Sequence, residues 1–189
     1  CWLEQGEQAK ASACLSRAIQ LSQELGDLEG EADLLALYAP SLREQGRLED
    51  ARVCLSRCLD LWEEESNSAA AASACSCLGL IDIDLGGYAR AAEHFQMAAD
   101  LFHQEGKSQQ EAEAVLAVPN IAEPYGLRDR AIMETLYSCG VRRSELAALK
   151  LEDIDVQRRT LFIRQGKGKK DRVIPIGQRA LKWITAYLE

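Results

Sequence analysis

Gly6, Gly46 and Gly86 stand at one constant spacing, and each opens a run with helical periodicity. The three runs are G-E-Q-A-K-A-S-A-C-L-S-R-A-I-Q-L, G-R-L-E-D-A-R-V-C-L-S-R-C-L-D-L and G-G-Y-A-R-A-A-E-H-F-Q-M-A-A-D-L. Small residues recur at Ala11, Ala51 and Ala91, and again at Ala18, Cys58 and Ala98. A larger apolar residue recurs at Leu15, Leu55 and Phe95, and a preceding helix repeats too, with Tyr38-Ala39 matching Leu78-Gly79. A repeated helical unit cannot bury its apolar face alone, so neighbouring units must stack on one another. That requirement excludes most other folds for the first half of the chain.

Two full units, about 32–71 and 72–111, and the second half of a preceding one are present. The Ala/Ser/Cys-rich stretch 68–77 keeps the helical register and reads as close-packed helix rather than linker. Gly126 would continue the spacing from Gly86, but Pro119 and Pro124 interrupt the helix that should precede it. The boundary is therefore expected near 107–111, giving repeats over 1–106 and a second domain over 107–189.

Charge divides at the same place. Residues 1–110 hold 8 Lys/Arg against 19 Asp/Glu, whereas residues 111–189 hold 14 against 11. The first part should repel nucleic acid and the second has a local excess of base. Seven cysteines, none in a C-x-x-C pair, fall mostly at helical positions beside Ala and Leu. They read as reduced, small hydrophobic residues rather than as metal ligands. No apolar run reaches the length of a membrane span, so a cytoplasmic location is expected and no membrane partner.

The second part is punctuated differently. Residues 160–164 (T-L-F-I-R) and 172–176 (R-V-I-P-I) read as strands, joined by Q-G-K-G-K-K-D, a glycine-lysine turn suited to meeting an anion. Residues 180–188 read as an amphipathic helix, and Arg142 stands at a turn entering a further helix, with Glu145 one helical turn on.

Two resemblances follow. The repeats resemble the tetratricopeptide family, in a unit longer than the usual one of about 34 residues. That likeness implies an antiparallel helical-hairpin solenoid whose groove takes a protein or peptide partner. Residues 111–189 resemble the opening portion of the tyrosine recombinase (phage-integrase and Xer-type) catalytic domain. The likeness lies in L-R-D-R-A-I-M-E-T-L-Y (residues 127–137, in the place of the family's early core helix), G-V-R-R-S-E-L, L-E-D-I-D and G-K-G-K-K-D-R, in that order. The expected fold is thus mainly α, a helical solenoid followed by an incomplete α+β recombinase core with a β-hairpin.

The recombinase resemblance implies DNA breaking and rejoining through a phosphotyrosine, with no metal or nucleotide cofactor. It puts Arg142 in the place of the first catalytic arginine and Lys167 in that of the hairpin lysine. Glu145 is expected to orient Arg142, and Arg143, Lys169, Lys170 and Arg172 to meet the phosphate backbone of DNA. An oligomer on DNA is a further expectation. The family's His-x-x-Arg box is missing, because His94 and His103 both precede Arg142, and Tyr187 falls too soon after the hairpin to be the nucleophile. With Cys1 first, the sequence reads as a fragment at both ends, inactive alone. A repeat scaffold or DNA-binding regulator with a degenerate recombinase-like tail is the alternative.

Overall fold

The computed structural model describes the backbone of residues 2–164 and 170–189, and the side chains of residues 10–164 and 170–189. It divides into two compact units, Cys1–Val118 and Pro119–Glu189.

The first unit is a run of antiparallel helices: α1 (Trp2–Leu25), α2 (Leu28–Glu44), α3 (Leu48–Glu64), α4 (Ser68–Asp84), α5 (Tyr88–Gln104) and α6 (Ser108–Ala117). Left-handed backbone recurs at even intervals, at Gly26, Gly46, Ser66, Gly86 and Gly106, with φ between 56° and 75°. Each closes the same helix-ending motif. At Gly46, for example, the Arg47 N–H donates to the Leu42 carbonyl at 2.9 Å and the Gly46 N–H to the Arg43 carbonyl at 3.0 Å. The spacing from Gly46 to Gly86 is therefore two equal half-periods, one helix and one turn each. Ser66 hides the second half-period in the sequence, because it occupies a left-handed position without being glycine. Gly6 opens no new helix; α1 runs through it. The side chains of Asp27 and Asn67 cap α2 and α4, accepting from the Gly30 and Ala70 N–H at 3.0 and 3.2 Å.

In the second and third runs the repeated small residues are the floor of the core, whereas Ala11 is exposed and Ala18 half-buried. Ala39, Ala51, Cys58 and Ala98 are fully buried beside Leu42, Leu55, Leu61, Leu78 and Phe95. Successive repeats reach the same packing by different volumes. Where one unit pairs Ala39 with Leu55, the next pairs Gly79 with Phe95, and a Cβ at Gly79 would stand only 2.8–2.9 Å from the phenyl ring. The larger ring is accommodated because the helix facing it has lost a methyl group.

The second unit holds α7 (Pro124–Cys139), α8 (Arg143–Ala147), a short 3-10 turn (Leu151–Asp153), β1 (Ile154–Asp155), β2 (Thr160–Ile163), β3 (Arg172–Pro175) and α9 (Gln178–Leu188). The strands form one antiparallel sheet in the order β1-β2-β3, with Ile163 opposite Arg172. Leu161 and Ile163 alternate inward with Phe162 outward, and they join Val141, Ile176, Ala180 and Leu181 in a single core. The hairpin strands and both outer helices fall where the sequence places them, and the short β1, within L-E-D-I-D, adds a third strand to the hairpin. Pro124 takes the first turn of α7, where its missing N–H costs nothing. Gly126 lies inside that helix rather than at a turn, and a side chain is excluded there because a Cβ would overlap the Asn120 carbonyl. The repeat phase does not continue through it.

The compact units part at Val118/Pro119, beyond the expected boundary, since α6 packs on α5.

Candidate functional site

α7 ends at Gly140, whose left-handed backbone (φ 58°) turns the chain sharply into Val141 and Arg142. Val141 is buried in the core, which leaves Arg142 at the entrance of α8 with its side chain 54% exposed. Glu145, one helical turn on, reaches back. Its Oε2 accepts the Arg142 backbone N–H at 3.0 Å, which satisfies one free donor at the helix entrance. Its Oε1 accepts from Arg142 Nη1 at 3.2 Å. The rest of the Arg142 guanidinium faces solvent, fixed in direction and able to donate two parallel bonds to an oxyanion.

Glu145 is itself buried, and a second arginine reaches it from the sheet. Arg172, the first residue of β3, donates from Nη1 to Oε1 at 2.9 Å and from Nη2 to Oε2 at 2.7 Å. Hydrogen bonds from Arg172, then the Arg142 N–H, draw the Glu145 carboxyl from its usual 4.5 down to about 2.

The same device recurs further along the chain. Asp153, also buried, accepts the Lys150 N–H at 3.0 Å and binds Arg164 Nε at 2.8 Å, which lowers its own carboxyl. Arg164 directly follows β2 and Arg172 opens β3, so a buried carboxylate holds an arginine where each hairpin arm meets the connecting loop. Nothing in the local pattern announces these pairs, because their partners stand 27 and 11 residues apart.

Arg143 and Lys170 are exposed. Lys167 and Lys169 lie outside the described residues. Tyr187 sits on α9 beside an apolar groove of about 350 Å³ with Leu146, Leu149, Ile154 and Ile184, and Arg128 and Arg143 lie along the same groove.

In the first unit a groove of about 430 Å³ is lined by Arg52 and Arg57 of α3, Asp82 of α4, and Arg90 and His94 of α5. Asp82 is wholly buried and accepts from Arg90 Nε at 3.2 Å, with His94 Nδ1 at 2.8 Å. Among the described residues, no cluster of three or more His, Cys, Asp or Glu could hold a metal ion, and no helix is long and apolar enough to cross a membrane. Cys58 and Cys75 are buried thiols whose burial pushes them up to about 12 and about 11, so neither is poised to react.

The model of the soluble NSF attachment proteins, SNAP, matches residues 3–133, and that of the phage integrase family matches residues 108–189. The chain belongs to the SNAP family over its repeats, and its second unit is a tyrosine-recombinase-like domain. The second part is similar to tyrosine recombinase XerC 2 of Ralstonia nicotianae, 59% identical over 81 residues, 43% of this chain and 23% of that protein. Tyrosine recombinase XerD of Pseudomonas aeruginosa is 43% identical over 81 residues, 43% of this chain and 27% of its own. Tyrosine recombinase XerC of Chlamydia pneumoniae is 45% identical over 78 residues, 41% of this chain and 25% of its own. The chain thus spans about a quarter of the length of the curated relatives it matches. The two family matches overlap over residues 108–133, so α6 packs with the SNAP-type repeats while carrying recombinase-like sequence.

Proposed function

We propose that the second unit is the phosphate-gripping part of a site that breaks and rejoins DNA, and that the repeats engage a protein partner. The observation that carries this reading is Arg142, more than half exposed and aimed by a buried carboxylate, at the position that the resemblance gives to the first arginine. In the proposed chemistry a tyrosine hydroxyl gives its proton to solvent and attacks the phosphorus, and the bond to the 5′ oxygen breaks. A phosphotyrosyl link forms on the 3′ side, and the departing oxygen takes a proton from an ammonium group, the role assigned to Lys167. Rejoining reverses each step. Arg142 stabilises charge on the non-bridging oxygens, and a guanidinium suits that work because its planar fork stays charged throughout. Arg143 and Lys170 add backbone contacts without base specificity.

The 189 residues hold no His-x-x-Arg box after the hairpin, and Tyr187 lies against the apolar groove. These 189 residues are expected to bind DNA weakly and not to cut it. The test is fluorescence anisotropy of a labelled duplex at low salt. Arg142→Ala is expected to weaken binding about tenfold or more, the worth of charged hydrogen bonds, and to lower the salt dependence by about one ion. Unchanged affinity would sink the assignment of Arg142, and a denaturant-resistant protein–DNA adduct would sink the claim that this chain does not cleave.

The SNAP match over residues 3–133 favours a second reading, in which the repeats are the working part and the second unit is a cap. That reading expects capture of a protein partner and no salt-dependent DNA affinity.

A further inference from the structure

We infer that Arg172 is a positioning residue for Arg142, acting through Glu145, and not a contact to DNA. The inference rests on the reading of Arg142 as the phosphate clamp. Glu145 offers two oxygens with about four acceptor positions, and four donors occupy them. They are the Arg142 N–H at 3.0 Å, Arg142 Nη1 at 3.2 Å, and the two terminal nitrogens of Arg172 at 2.9 and 2.7 Å. The two shortest belong to Arg172, so the sheet rather than α8 sets the angle of the carboxylate. Arg142 commits a single side-chain nitrogen to Glu145 and keeps the remainder of its fork outward, whereas Arg172 commits both terminal nitrogens and is the less exposed, 36% against 54%.

Without Arg172 the carboxylate keeps only its bonds to α8 and can rotate, and the Arg142 guanidinium rotates with it. A lysine cannot replace the fork, since an ammonium is a point charge that cannot bind both oxygens in a fixed plane. The Asp153–Arg164 pair repeats the arrangement on the other hairpin arm, with the Lys150 N–H in the place of that of Arg142. The arginine-on-carboxylate strut is thus a repeated building element of this sheet, not an accident of one side chain.

The test is a double-mutant cycle on DNA affinity of the whole chain, using Arg142→Ala, Arg172→Ala and the pair, with log Kd followed against log salt. Positioning predicts a several-fold loss for Arg172→Ala and no further loss when it is added to Arg142→Ala. Multiplying losses, with each variant removing its own ion from the salt slope, would mean that Arg172 touches DNA and would overturn the inference. So would wild-type affinity of Arg172→Ala. Arg172→Lys sharpens the choice: a positioning role leaves it as weak as Arg172→Ala, while a phosphate contact restores it. If Arg172→Ala fails to fold by circular dichroism, Glu145→Gln decides the matter. Removing an acid near DNA should tighten binding on charge alone, yet the strut predicts weaker binding, and tighter binding would end the proposal. An Arg142→Ala variant that binds like wild type would instead refute the phosphate-clamp reading, and the inference with it.

Discussion

The two units meet the same problem, how to hold elements at fixed angles. Both use buried carboxylates, as Asp82 of α4 on Arg90 and His94 of α5 shows, but only one of them adds a repeated backbone device. In the SNAP-type repeats a helix-ending turn is what recurs, at even intervals from Gly26 to Gly106, and residues as small as Ala39, Ala51 and Gly79 let the helices approach. In the recombinase-like unit no such turn recurs among the described residues, and buried carboxylates bind the elements together. Glu134 is 1% exposed and joins Arg130 of its own helix to Arg179 of α9 at 2.9 and 2.7 Å. Glu145 joins α8 to β3, and Asp153 joins the 3-10 turn to the end of β2. A stack built on repeated turns tolerates exchange of one repeat for another. A unit braced by individual ion pairs holds particular side chains at particular angles, which is what a phosphate clamp requires.

The comparison can be broken where its effect is largest. Glu134→Ala should destabilise the second unit by about 3–5 kcal/mol, because Arg130, 12% exposed, loses the carboxylate that balances its buried charge. Denaturant unfolding checks it, and a loss below about 1 kcal/mol would mean that packing alone holds α7 to α9.

The repeats should respond to volume instead. Gly79→Ala is expected to cost about 1–3 kcal/mol by overpacking against Phe95. Adding Phe95→Leu rebuilds the Ala39 and Leu55 pairing of the preceding repeat, and most of the loss should return. A double variant no more stable than Gly79→Ala would show that the two repeats do not share one packing rule.

The smallest effect tests the turn itself. Ser66→Gly should raise stability by up to about 1 kcal/mol, since the left-handed backbone (φ 56°) is strained for a residue with a Cβ. A loss on this substitution would mean that the Ser66 side chain contributes something the shared turn does not.

The sequence by itself determined the helical repeats, the hairpin and the position of Arg142 at a helix entrance. Each of these is written in neighbouring residues: glycine at a fixed spacing, alternating strand residues, a glycine closing α7. The same local logic found Glu145, which lies one helical turn from Arg142. It fell short where the chemistry is shared between distant positions. Arg172 reads as one more cation beside the lysines of the hairpin, and only the folded sheet brings it onto Glu145, 27 residues away. The exchange of Ala39 with Leu55 for Gly79 with Phe95 is of the same kind, because two substitutions compensate only across a helix pair. Periodicity and turn propensity act through covalent neighbours and survive in a linear reading. Which arginine a buried carboxylate holds, and how much room a ring finds, depends on contacts that exist only once the chain has folded.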